Sequence, residues 1–128
     1  MNKFAVAFKW AVILGILADW FYAIPAILIP NAVVGQLGGE PARMSVWPAF
    51  AALLMVLVQL FFFSGACDIH RYRTNAYFAV LFRLVMALFF LCLHPCIYPA
   101  IGWYNAVLLL LQLWLLTNAL RFGPPVRP

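Results

Sequence analysis

The chain has 128 residues, of which 68% are hydrophobic and 9% charged, whereas soluble domains carry about 25% charged residues. Eight basic and three acidic side chains cannot cover the apolar surface of a soluble fold of this length, so together with a mean hydropathy of +1.03 they exclude an ordinary water-soluble domain and point to lipid as the solvent. The formal charge of +5 does not indicate nucleic acid, because the basic residues lie mostly at the ends of apolar segments, where they set membrane orientation.

Residues 1–9 and the apolar run behind them have the outline of a signal peptide. The run from Trp10 to Pro30 exceeds the roughly 7–15 apolar residues of such a leader. It also carries Asp19 and ends without a small-residue cleavage site, so it is predicted to be a retained helix. The first span is placed at about residues 10–29. Twenty helical residues cover roughly 30 Å, one hydrocarbon thickness. Pro25 is expected to bend this helix and Pro30 to end it. Residues 31–45 read as a loop on the membrane surface or under a partner, punctuated by Gly38, Gly39 and Pro41 and charged only at Glu40 and Arg43.

The second span is placed at about residues 46–66, with Ser45 as its expected N-cap and Pro48 in its first turn. Asp68, His70, Arg71, Tyr72, Arg73 and Asn75 make a short polar connection. The third span, about residues 76–93, contains Arg83 and is ended by Pro95 and Pro99. The fourth, about residues 103–120, contains Gln112 and leads into a proline-rich basic tail. One domain is expected over residues 1–128: an all-α membrane protein, an antiparallel four-transmembrane-helix bundle. Lys3, Lys9, Arg71, Arg73, Arg121 and Arg127 fall on one side and Arg43 alone on the other. For a multi-pass protein of a bacterial-type inner membrane, the positive-inside rule then puts both termini and the 68–75 loop in the cytoplasm. Tyr98, Trp103 and Tyr104 are expected in the outer aromatic belt, with Trp47.

Charges inside lipid are expensive and commonly pair or mark function. Counted from the basic ends, Asp19 lies roughly 15 Å deep, Arg83 roughly 12 Å, and Gln59 and Gln112 roughly 13–14 Å. Each predicted span therefore places one strongly polar residue at one depth. Ala11, Gly15, Asp19 and Ala23 form a small-residue stripe on the first span, and Ala79, Arg83 and Ala87 on the third. Small residues let membrane helices approach closely. The first and third spans are therefore expected to pack through these stripes, with Asp19 paired to Arg83 and with Gln59 and Gln112 completing the hydrogen bonds. Such a layer has two readings. A structural ion pair would fix helix register, and a polar pocket at mid-membrane would serve a ligand or a proton. No run of carboxylates or histidines continues it outward, which favours the structural reading. Asn105, Thr117 and Asn118 are expected to be helix-end or interhelix hydrogen bonders.

Two smaller clusters carry weaker signals. Cys92, His94 and Cys96 meet at the outer end of the third span, where an oxidising compartment would allow a disulfide, redox or metal role beside the plain structural one. His70, Arg71 and Arg73 could meet anionic headgroups or a quinone head, or simply form a solvated loop. The two histidines sit at opposite ends of the spans, which disfavours a haem held within one chain. No cofactor is predicted, though a quinone or a haem shared with another chain stays open. The sequence holds no phosphate-binding glycine loop, nucleophile elbow or paired carboxylates, so catalysis by this chain alone is not expected.

The length, the four spans, the segment AIPAILIP at 23–30 and RYRTNAYFAVLFRL at 71–84 resemble the small four-helix membrane proteins of the DoxX-like group and related bacterial inner-membrane proteins. The resemblance covers most of the chain as a layout and implies an accessory or quinone-associated role beside a membrane redox system. Small multidrug transporters share the size and an acid in the first helix, here Asp19. Their acid is unpaired, which Arg83 contradicts. The leading expectation is a non-catalytic integral membrane subunit of a larger assembly, in contact with lipid and with other membrane subunits or copies of itself, through aromatic-rich surfaces at Phe61–Phe63, Phe89, Phe90 and Trp114. The alternative is a small transporter or a ligand- or quinone-binding bundle that uses the Asp19/Arg83 layer.

Overall fold

In the computed structural model the chain is helical, with no strand among the described residues, which are 2–93 and 98–122. Helix α1 spans Lys3–Leu28, α2 Pro30–Gln36, α3 Val46–Cys67, α4 Arg73–Leu88 and α5 Pro99–Arg121. Residues Phe89–Leu93 continue α4 as a π-helical turn. Four stretches are long and apolar enough to cross a membrane: Lys3–Leu28, Val46–Cys67, Arg73–Leu93 and Pro99–Arg121.

The helices begin and end where local chemistry allows. Helix α1 starts at Lys3 rather than near residue 10. The Asn2 side chain accepts the Phe4 N–H at 3.0 Å, and Ala5 and Phe8 are buried, so the first two turns belong to the core. Pro25 lies inside α1, whose carbonyl still accepts the Ile29 N–H at 2.8 Å. Pro30 does not simply end a helix; it opens α2 as its first residue, where its missing N–H costs nothing. The first connection is therefore partly helical, and the Asn31 side chain ties it down by accepting the Ala42 N–H at 3.1 Å. Ser45 occupies the position before α3 but makes no side-chain cap. Asp68 supplies the local bonds after α3, accepting from the His70 and Arg71 N–H groups.

The packing differs from the expected pairing of the first and third spans. Helix α1 packs against α3 and α5, and α4 packs against the same two helices. The four long helices form a ring in which α1 and α4 face each other diagonally. One half of the ring is filled by a dry core that includes Phe8, Val12, Phe62, Ala76, Leu116 and Ala119. The outward faces carry large apolar side chains such as Phe21, Leu28, Phe61 and Leu110, the surface that lipid rather than water requires.

Candidate functional site

Arg83 is 4% exposed, so its guanidinium must be satisfied by protein groups. It reaches across the diagonal of the ring. Its Nη2 lies 2.7 Å from Asp19 Oδ2 on α1, and its Nη1 donates to Asn105 Oδ1 on α5 at 2.9 Å. Gln59 on α3 donates from Nε2 to the same Asp19 oxygen at 2.5 Å. One residue from each long helix thus joins a single network. The Arg83 guanidinium carbon also sits 5.6 Å from the Tyr104 ring centre and 5.7 Å from that of Phe82, within range of cation–π attraction. The Tyr104 hydroxyl donates to the Gly15 carbonyl at 3.3 Å.

The small-residue stripes have a different use from the expected one. Because α1 and α4 do not touch closely, the arginine side chain bridges the gap and Gly15 makes room for it. A Cβ at position 15 would lie 2.8 Å from Arg83 Nη2, the atom that meets Asp19. Gly15→Ala should therefore destabilise the protein by about 1–2 kcal/mol, in the range of overpacking strain. In an Arg83→Gln background the penalty should largely vanish, which unfolding midpoints of the two variants and their combination would measure.

Gln112 does not complete the pair. Its Nε2 donates to the Ala11 carbonyl at 3.3 Å, an interhelix bond one step along α1 from Gly15. Asn105 takes the place expected of Gln112. Tyr104, expected at the outer interface, instead turns its hydroxyl into the bundle. The expectation that Asn105 bonds between helices holds, while nothing in the sequence singles out Tyr104. Asn105 and Gln112 are seven residues apart, so they share one face of α5, and Asn105 is 2% exposed. Thr117 and Asn118 bond back to Leu113 and Trp114 within their own helix.

Beside this network lies a cavity of about 700 Å³ bounded by all five helices, with Asp19, Arg83, Tyr104 and Asn105 in its wall. Small residues create the space, among them Ala23, Ala26 and Ala52. Met55 and Met86 add flexible apolar surface that adapts to shape. The volume falls in the usual range for small-molecule sites, and an apolar wall with a few converging polar groups is the usual composition of such sites. Ala18, Tyr22, Leu54 and Val58 line the cavity and are also exposed, so it opens to the outside of the bundle. A second groove, between α4 and α5, is more open and has only Thr74 and Tyr77 as polar lining.

The other candidate clusters lie elsewhere. Cys67 and Cys92 are free and exposed, and His94 and Cys96 fall outside the described residues. Among the described residues no group of three His, Cys, Asp or Glu could hold a metal ion. His70, Arg71 and Arg73 follow α3 without lining the cavity. Arg71 packs 5.4 Å from the Tyr72 ring centre, and the His70 backbone bonds to Asp68. Compared with known proteins, the chain matches no family model, no curated protein and no solved structure.

Proposed function

We propose that the protein is a small multi-pass membrane bundle that binds a lipid-soluble molecule, with the polar head of that molecule held at Asp19, Arg83, Tyr104 and Asn105. The observation that carries this reading is the cavity of about 700 Å³ whose otherwise apolar wall contains a buried ion pair. A pair that only fixed helix register would need no cavity beside it, whereas here both charged groups stand in the wall of one. The topology that goes with this reading is antiparallel. Both termini and the 68–72 connection lie in the cytoplasm, and the cavity lies in the outer half of a bacterial-type inner membrane. The distribution of Lys and Arg over the segment ends supports it.

The accessory-subunit reading, with the redox association that the DoxX-like resemblance implies, is compatible with a ligand held in this way. Beyond that resemblance it rests on surface aromatics, and these are spread over the outward faces: Phe21 on α1, Phe61 and Phe63 on α3, Phe78 on α4 and Trp114 on α5. The cavity is the more specific feature.

The test is to purify the protein in mild detergent, extract it with organic solvent and identify co-purifying small molecules by mass spectrometry. Ala26 is half-buried and lines the cavity. Ala26→Phe would place a ring in the space without displacing the core. It should abolish co-purification while leaving the melting temperature of the ligand-free protein close to that of the wild type. A wild-type protein that yields no bound molecule, and that gains none from membrane extracts, would remove the binding reading.

A further inference from the structure

The polar wall of the cavity is rich in hydrogen-bonding groups and carries no net charge. Arg83 and Asp19 offset each other at 2.7 Å, and among the described residues no other Asp, Glu, Lys, Arg or His lines the cavity. An ionised head entering this site would find no unshared countercharge. A carboxylate approaching Arg83 would meet Asp19, and an ammonium approaching Asp19 would meet Arg83. Moving an ion out of water costs several kcal/mol in real proteins even after relaxation. A neutral head escapes both penalties.

Unused hydrogen-bonding capacity specifies the head further. A guanidinium has five donors, and Arg83 directs Nη1 to Asn105 and Nη2 to Asp19. A carboxylate has about four acceptor sites, and the two donors that Asp19 receives from Arg83 and Gln59 converge on Oδ2. The wall can therefore both give and accept hydrogen bonds. Resting on the binding role proposed above, we infer that the occupant is a neutral amphiphile whose head carries both a donor and an acceptor, such as a long-chain alcohol, phenol or amide. Ionised lipids and ionised drugs of the same chain length are excluded.

Four probes with one tail test this. Dodecanol has donor and acceptor, dodecyl methyl ether has an acceptor only, dodecyl sulfonate is a permanent anion and dodecyltrimethylammonium a permanent cation. Each is added to the protein in lipid nanodiscs, and the probe retained per protein is read by native mass spectrometry, with Ala26→Phe as the blocked reference. Dodecanol should be retained at least about tenfold over either ion, since several kcal/mol of uncompensated desolvation separates them. The ether should fall between the alcohol and the ions. An ion retained as well as the alcohol overturns neutrality, and an ether retained as well as the alcohol overturns the donor requirement; in both cases binding itself stands. If no probe is retained above the blocked reference, the binding role fails and this inference with it. Charge variants give a second arm. Asp19→Asn leaves Arg83 without its countercharge and should reverse the order in favour of the sulfonate, while Arg83→Gln should favour the trimethylammonium. A folded variant that keeps the wild-type order overturns the inference. The wild-type series decides the question even if neither variant folds.

Discussion

Replacing Asp19 with asparagine should destabilise the protein by about 3–5 kcal/mol, the usual loss when one partner of a buried pair is removed. A guanidinium that is 4% exposed would then keep only neutral partners, Asn105, the Tyr104 and Phe82 rings and the new amide. Arg83→Gln should cost less. The stranded carboxylate would be the less deeply buried of the two groups, at 9% side-chain exposure against 5% for Arg83. Gln59 would also remain to bond the acid, as it does at 2.5 Å in the intact network. The double variant Asp19→Asn/Arg83→Gln should lose less than the two singles together, by about 1–3 kcal/mol, because neither charge is then stranded. Reversible unfolding of the four proteins in mixed micelles measures all three quantities. Strictly additive losses would mean that the two groups are not coupled. A loss of only about 1 kcal/mol for Asp19→Asn would mean that water in the adjoining cavity solvates the guanidinium, since exposed pairs contribute no more than that.

The sequence makes the four apolar spans and the pairing of Asp19 with Arg83 legible for separate reasons. Hydropathy over about 20 residues is a strong signal in lipid because every backbone polar group must be satisfied inside a helix. The pair could be anticipated because depth is a one-dimensional count from charged segment ends, and a charge in lipid has few alternatives to a partner. Which helices touch is a question of rotation about their axes. Residue counts along the axis do not answer it. The small-residue stripes mark Gly15 and Ala79 correctly as inward-facing, as their burial shows. They do not reveal whether the space beside Gly15 is filled by a neighbouring helix or by the end of a long side chain from the diagonal one. The expected fourth member of the network falls on Gln112 instead of Asn105 for a different reason: both lie on one face of α5, about 10 Å apart along it, and the depth of Asp19 is counted from Lys9 whereas α1 begins at Lys3. The cavity has no local sequence signature. It arises where alanines from α1 and α3 fail to fill the ring, and alanines at helix interfaces elsewhere, such as Ala66, Ala76 and Ala119 in the dry half, are packed over.

Gly65→Ala should be clearly destabilising, with a net loss of about 2 kcal/mol. A Cβ at position 65 would lie 2.5 Å from the Ala76 nitrogen, 2.8 Å from the Asn75 carbonyl carbon and 3.0 Å from Ala76 Cα. All three are backbone atoms, so no side chain can swing away, and α3 and α4 must separate. That separation is resisted on both sides of the contact. Asn75 Nδ2 donates to Ser64 Oγ at 2.6 Å and to the Phe61 carbonyl at 3.1 Å, and Asp68 holds the short connection between the helices. Overpacking of this kind costs about 3 kcal/mol at the upper end of its usual range. The better helix propensity of alanine returns about 1 kcal/mol, so strain wins. Gly35 supplies the contrast. It lies in α2 with nothing within 4 Å of an added Cβ, so Gly35→Ala should keep the propensity gain and raise stability by up to about 1 kcal/mol. Because both substitutions add the same methyl group to a helical glycine, unfolding midpoints that move in opposite directions would isolate the contact between α3 and α4 as the cause. Similar midpoints for the two variants would show that the helices can slide apart at little cost, and that the α3–α4 junction does not set the shape of the ring.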